Sequence, residues 1–153
     1  MAKMGAIAVI CVLALLSVAR ASENFSVTGK VYCDNCDAGF PTRISPAIAG
    51  ATVAVECKDT NGKQTFYATG LSGKDGKFSI AVVGERPREL CKAQALSSPD
   101  DKCSIPTDVN EGPVYLTHNN GINSDERMTG PFCFKSAEKH PQCGAVMAEF
   151  NIY

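Results

Sequence analysis

Seven cysteines constrain this chain more than any other feature of its sequence: Cys33, Cys36, Cys57, Cys91, Cys103, Cys133 and Cys143, with an eighth, Cys11, in an apolar leader. Whether they pair depends on the compartment, and the leader speaks to that. Lys3 supplies a basic start, Gly5 to Ala19 is an unbroken run of small and apolar residues, and Ala19-Arg20-Ala21 offers a cleavage site. Residues 1–21 are therefore expected to be a signal peptide, and residues 22–153 a single domain beginning at Ser22. Fifteen residues at about 1.5 Å rise fall short of a hydrocarbon core of roughly 30 Å, which favours a cleaved signal over an anchor. No second apolar run of spanning length follows, and the ending Glu149-Phe150-Asn151-Ile152-Tyr153 carries neither an ER-retention nor a GPI signal. The expected product is secreted and extracellular, with no membrane span after cleavage. Export makes disulfides the default, and an odd cysteine count leaves one thiol over.

Cleavage would remove Lys3 and Arg20 but no acid, taking the net charge from −1 to −3. A mildly acidic domain without a basic stripe is a poor nucleic-acid or anionic-membrane binder, so neither is expected as a partner. A chain this long can bury an adequate core unaided, and disulfides would reinforce the fold rather than replace a core.

Periodicity supplies the architecture. Phe25, Val27, Gly29, Val31 and Cys33 alternate with Ser26, Thr28, Lys30 and Tyr32, and Val53, Val55 and Cys57 with Thr52, Ala54 and Glu56. Phe78, Ile80 and Val82 follow the turn dipeptide Asp75-Gly76, and Cys91, Ala93 and Ala95 alternate again. Gln64 to Thr69 is rich in strand formers, while Val114–Thr117 and Val146–Ile152 are weaker strand candidates. Short strands at roughly ten-residue intervals predict an all-β fold. The expectation is an antiparallel sandwich or open barrel of about seven strands, disulfide-linked, with at most one short C-terminal helix. Phe134 to His140 is the one stretch read as a helical turn, stopped by Pro141. Ser97–Gly112 and Asn119–Gly130 read as long polar loops, the first in need of a tether such as a disulfide at Cys103.

Cys57 and Cys91 both fall on inward positions, so neighbouring strands would bring them to bridging distance. Cys33-Asp34-Asn35-Cys36 is a C-x-x-C. A redox pair of that spacing belongs at a helix start, and here the motif ends a strand pattern and runs into Gly39-Phe40-Pro41. A zinc ribbon needs a second close pair, and none is present. Two separate structural bridges are the expectation for Cys33 and Cys36. His118 and His140 lie in polar surroundings with no nucleophile or zincin motif near them, and read as surface residues. Asp100-Asp101 and Asp125-Glu126 lack an EF-hand pattern and read as solvated loop charge. No catalytic residue, metal ligand or cofactor is assigned. Asn24-Phe25-Ser26 is an N-glycosylation sequon, with Asn24 as the acceptor.

The run Gly29-Lys30-Val31-Tyr32-Cys33-Asp34-Asn35-Cys36 resembles the signature of the olive-type pollen allergen family, also called Ole e I/extensin-like. Asp37 departs from it, since the family usually has arginine there. The similarity continues through Gly50-Ala51, Cys57-Lys58-Asp59, the Cys91 strand and the spacing of Phe134-Lys135, Pro141 and Cys143. The resemblance implies a secreted plant protein with three bridges: Cys33–Cys103, Cys36–Cys143 and Cys57–Cys91. Cys133 is then the free thiol, although Cys133 and Cys143 lie close enough in sequence that either could partner Cys36.

Function is expected on the same basis. The leading expectation is a non-enzymatic interaction protein of pollen or the cell wall, with allergenicity and a part in pollen tube growth or wall signalling as further implications. Its partner would be an extracellular receptor or a wall component, met through the Ser97–Gly112 and Asn119–Gly130 loops. The alternative is an extracellular redox or metal-dependent enzyme using the Cys33/Cys36 pair.

Overall fold

The computed structural model describes residues 24–150, so the expected signal peptide and cleavage site lie outside the described residues. Strand β1 (Asn24–Asp34) turns Phe25, Val27, Val31 and Cys33 to the interior. The other strands are β2 (Thr52–Lys58), β3 (Gln64–Leu71), β4 (Lys77–Val83), β5 (Leu90–Ser97), β6 (Ile105–Pro106), β7 (Glu111–Val114), β8 (Glu126–Met128) and β9 (Phe132–Lys135). One helix, α1 (Cys143–Glu149), follows.

The strands form two sheets. The first has the order β4-β1-β9-β6, with β8 also paired to β1, and the second runs β3-β2-β5-β7. Their inner faces meet in one core that includes Phe25, Val27, Phe78, Ile80, Phe132 and Phe134 from the first sheet and Val53, Val55 and Ala93 from the second. Burying each large apolar side chain contributes about 1.5–3 kcal/mol, so this alternation is the main stabilising pattern of the domain. At Gly29 a side chain would collide with the Phe78 ring and with the Thr129 carbonyl. The glycine lets a large ring cross over β1. In the Asp75-Gly76 turn, Gly76 adopts φ 76° and its carbonyl accepts the Val31 N–H at 2.8 Å.

The all-β sandwich matches the expectation, but its details differ. β8 and β9 lie end to end along one side of β1 and are parallel to it, at Ser26–Thr28 and Val31–Asp34 respectively. Alternation reports which face a residue occupies, not the direction of its partner, so it carried no hint of parallel pairing. The Phe134–His140 stretch is not helical. Phe134 and Lys135 complete β9, where Phe132, Cys133 and Phe134 are all buried. Both sides of that strand are covered, which erases the alternation expected of a half-exposed strand. The helix lies further on and replaces the start of the strand expected at Val146–Ile152, whose residues 151 and 152 lie outside the described residues. Its buried residues Cys143 and Val146 are three apart, one helical face, and Pro141 precedes it where proline is tolerated. β7 begins three residues ahead of Val114. Among the described residues no helix is long and apolar enough to cross a membrane.

Register also sets the two ends of the sandwich. β1 runs from a first end, where Asn24 pairs with Val83, to a second end, where Asp34 pairs with Lys135. In the other sheet Lys58 and Leu90 pair at the first end, and Thr52 and Ser97 at the second. The segment between Ser97 and β7 therefore emerges at the second end. β7 returns the chain to the first end, where residues 119–125 lead into β8.

Candidate functional site

The cysteines gather mainly at the second end. Cys33, on the inner face of β1, is bonded to Cys103, with Cα atoms 5.9 Å apart. Cys36, just beyond β1, is bonded to Cys143 at the start of α1, at 5.4 Å. The two sulfurs of the C-x-x-C thus have separate distant partners, and the oxidised protein holds no vicinal dithiol. The loop after β1 is shaped by Asp34, which is buried and accepts the backbone N–H groups of Cys36, Ala38 and Gly39 at 3.3, 3.0 and 2.7 Å. Those bonds direct the chain away from the strand after Cys33, and so separate the two sulfurs. Cys57 and Cys91 face each other across β2 and β5 and are bonded, Cα to Cα 4.0 Å.

Cys133 is a free, buried thiol on β9, opposite Tyr32 of β1. Its Sγ lies 3.2 Å from the Thr107 hydroxyl. The Tyr32 hydroxyl is buried beside it without a well-formed hydrogen bond. Burial first, then the neighbouring Cys133 and Asp34, push the Tyr32 phenol far above its ordinary pKa. Tyr32 stays neutral, and its side chain and Cys133 lie together on the outer side of the first sheet.

Among the described residues, metal-type donors gather at one place. Cys57, Glu89 and Cys91 bring three donor atoms within 4.8 Å of one another, but the two sulfurs are joined in a disulfide and offer no thiolate. Asp100 accepts the backbone N–H of Lys102 at 3.0 Å, as a turn residue does. Asn24 opens β1 with its side chain exposed, opposite Val83.

The first end is built from charge instead of sulfur. Arg86 donates to Glu89 at 2.8 Å and its guanidinium lies 4.6 Å over the Phe66 ring. Thr65 donates to the same carboxylate oxygen at 2.6 Å. Desolvation raises the Glu89 pKa, but the hydrogen bonds from Thr65 and Arg86 and the Arg86 charge outweigh it and hold it below the usual carboxylate value. Arg127 is buried at an inward position of β8. Its Nε and Nη2 donate to the carbonyls of Tyr115 and Thr117 at 2.8 Å each, and its guanidinium lies 4.7 Å over Phe25. The opposite role falls to His118, whose ring nitrogens lie 2.7 Å from Glu85 and 3.1 Å from Asp125. The backbone N–H of His118, and then its ring, hold Glu85 below the usual carboxylate pKa.

Sequence reasoning passed over Asp34 and Arg127, and it read His118 as a surface residue. Asp125-Glu126 reads as solvated charge, and nothing beside it marks the following arginine as turned inward. For His118 the signal is equally thin, because Glu85, 33 residues away, becomes its neighbour only where the chain after β4 meets the chain after β7. The outer face of the first sheet also carries a groove of about 770 Å³ between β4, β1 and β8, lined by Lys30, Lys77, Glu126, Met128 and Pro131 among others.

Comparison with known proteins gives a consistent picture. The family described as "Pollen protein Ole e 1 like" matches residues 23–151. The pollen allergen Che a 1 of Chenopodium album is 41% identical over 150 residues, covering 94% of this chain and 89% of that protein. The anther-specific protein LAT52 of Solanum lycopersicum is 32% identical, covering 94% and 91%. Among solved structures, the major plantain pollen allergen Pla l 1 superposes with a TM-score of 0.70 at 28% identity, over 78% of this chain and 99% of that one.

Proposed function

Because the chain belongs to the Ole e 1-like family of pollen proteins, we propose that it is a secreted, non-enzymatic recognition protein acting at the pollen surface or in the adjoining wall. In this reading residues 1–21 are removed on export, residues 22–153 form the working domain, and Asn24 carries an N-glycan. The partner is an extracellular receptor or a wall polymer.

The observation that carries the reading is the contrast between a disulfide-braced frame and an exposed loop without such a bond. Three disulfides and a two-sheet core support the domain, while residues 119–126 are exposed in succession. Loops held by a rigid scaffold are where binding commonly resides. The two loops singled out in the sequence leave opposite ends of the sandwich, so one partner surface does not span both. Ser97–Gly112 is tied down by Cys103 and by β6 pairing to β9. The 119–125 loop is the better recognition element.

Two alanine sets test this: Asn119, Asn120, Ile122 and Asn123 in one variant, and Asp100, Asp101 and Lys102 in the other. Binding is measured against receptor ectodomains and fractionated wall polymers. The first set is expected to weaken binding about tenfold at an unchanged melting temperature, and the second to leave it intact. Equal binding by the first variant and the unmodified protein would sink the assignment.

A further inference from the structure

The ring of His118 is held in a way that a neutral imidazole cannot reproduce. Nδ1 lies 2.7 Å from Oε1 of Glu85, and Nε2 lies 3.1 Å from Oδ1 of Asp125. Ionised carboxylates only accept hydrogen bonds, and a neutral imidazole has one N–H. Both contacts are hydrogen bonds only while the ring is an imidazolium. The three residues come from separate segments: Glu85 from the connection after β4, His118 from the chain after β7, and Asp125 from the end of the 119–125 loop. The two carboxylates occupy opposite ring nitrogens, so the three side chains do not converge on a common point where an ion could sit.

We propose that His118 is a proton-operated latch on the 119–125 loop, so that recognition through this loop is regulated by pH. The loop's role in recognition is taken from the function proposed above; the latch itself is a property of the free protein.

The order in which the contacts fail follows from the geometry. Glu85 also accepts the His118 backbone N–H at 2.6 Å, so it holds both ends of that residue. A ring that loses one proton keeps Nδ1–H toward Glu85 and turns the Nε2 lone pair toward the Asp125 carboxylate. A hydrogen bond becomes a repulsive contact, and the largely exposed Asp125 side chain swings to water. The Asp125 carbonyl still accepts the Ser26 N–H at 3.0 Å, so β8 stays in register. What loosens is the run from Asn119 to Ser124.

Among the described residues, the charged groups facing the ring are Glu85, Asp125 and Arg127. The carboxylates favour the imidazolium. Arg127 opposes it from β8, where its guanidinium shares the Phe25 ring that His118 packs against at 4.7 Å. Two contacting carboxylates outweigh one cation held across an aromatic ring, so the folded protein holds the proton more tightly than the unfolded chain. The latch is fully engaged below the ordinary histidine pKa of about 6.5 and is released as pH rises through the higher folded value.

The test is an NMR titration of the full mature protein, following the His118 Cε1–H resonance, the Asn119–Ser124 amides and the Ile122 methyls. The loop signals are expected to move with the ring's own midpoint. Asp125→Asn should lower that midpoint by about 0.2–0.7 pH units and abolish the loop's response. His118→Gln should leave the loop insensitive to pH. Loop signals that stay flat through the ring's midpoint, or an unchanged midpoint in Asp125→Asn, would overturn the latch. No partner enters this titration, so failure of the recognition role shows separately, as undiminished binding in the 119–123 alanine variant.

Discussion

The two ends of the sandwich are secured by different chemistry. At the second end, Cys33–Cys103 and Cys36–Cys143 bind the C-terminal half of the chain to β1 covalently. At the first end, Arg86, Arg127 and His118 are held by carboxylates, carbonyls and aromatic faces, and the nearby Cys57–Cys91 bond joins strands that are already paired in one sheet. Sulfur confines its end under all non-reducing conditions. The charged end responds to salt and protons, and that is the end from which the exposed 119–125 loop projects. The division separates a part of the molecule that must not move from one that can.

The comparison breaks first, and most severely, at sulfur. Replacing Cys36 and Cys143 together by serine removes a crosslink between residues 107 apart and is expected to cost about 2–5 kcal/mol in denaturant unfolding. A smaller loss than that from any charged-end substitution would invert the picture. Arg127→Met comes next, at about 2–3 kcal/mol, because the Tyr115 and Thr117 carbonyls lose a charged donor held by a buried side chain. Its unfolding curve should keep the same slope against denaturant.

Cys133→Ala sharpens the contrast from the other side. It removes a buried sulfur at the crosslinked end without breaking a bond, and should cost only about 1 kcal/mol. In the unmodified protein the Cys133 thiol should resist alkylation until the chain unfolds; rapid native labelling would contradict its burial. Smallest is the Arg86–Glu89 pair, at about 0.5–1 kcal/mol in a double-mutant cycle and weaker in high salt. Acid acts on the same end. Glu85 and Glu89 both have lowered folded pKa values, so their contribution is present above the ordinary carboxylate value of about 4.3 and is lost as pH falls through the folded ones. Amide exchange near Arg86 and Leu116 should therefore rise in acid before exchange near Cys33 does.

How far the sequence announced this depends on whether a feature is local. β1, β2, β4 and β5 are legible because each turns alternate apolar residues into the core, and period-2 alternation reports that directly. The facing of Cys57 and Cys91 is legible for the same reason. β9 is not, because Cys133 on its outer side is buried against Thr107 and Tyr32, which removes the alternation. α1 shows only two buried positions, Cys143 and Val146, too few to declare a helical period beside Phe150 and Ile152. Arg127 and His118 lie at the far limit. Their roles depend on tertiary folding: Glu85 reaches His118 where the chain after β4 meets the chain after β7, and the guanidinium of Arg127 reaches Phe25 through the pairing of β8 with β1.

That pairing has a consequence for how the chain is made. β1 emerges early in synthesis and finds β4 within the next sixty residues. Its other edge is completed only by β8 and β9, which are among the last segments to leave the ribosome. Until they arrive, the backbone of a long apolar strand has an unmatched side, the kind of edge that recruits strands from other chains. Cys33 and Cys36 flank the end of that strand, and their partners Cys103 and Cys143 come later. Closing Cys36–Cys143 is therefore a terminal step of maturation, and a chain truncated before β8 would be expected to aggregate with one edge of its central strand bare.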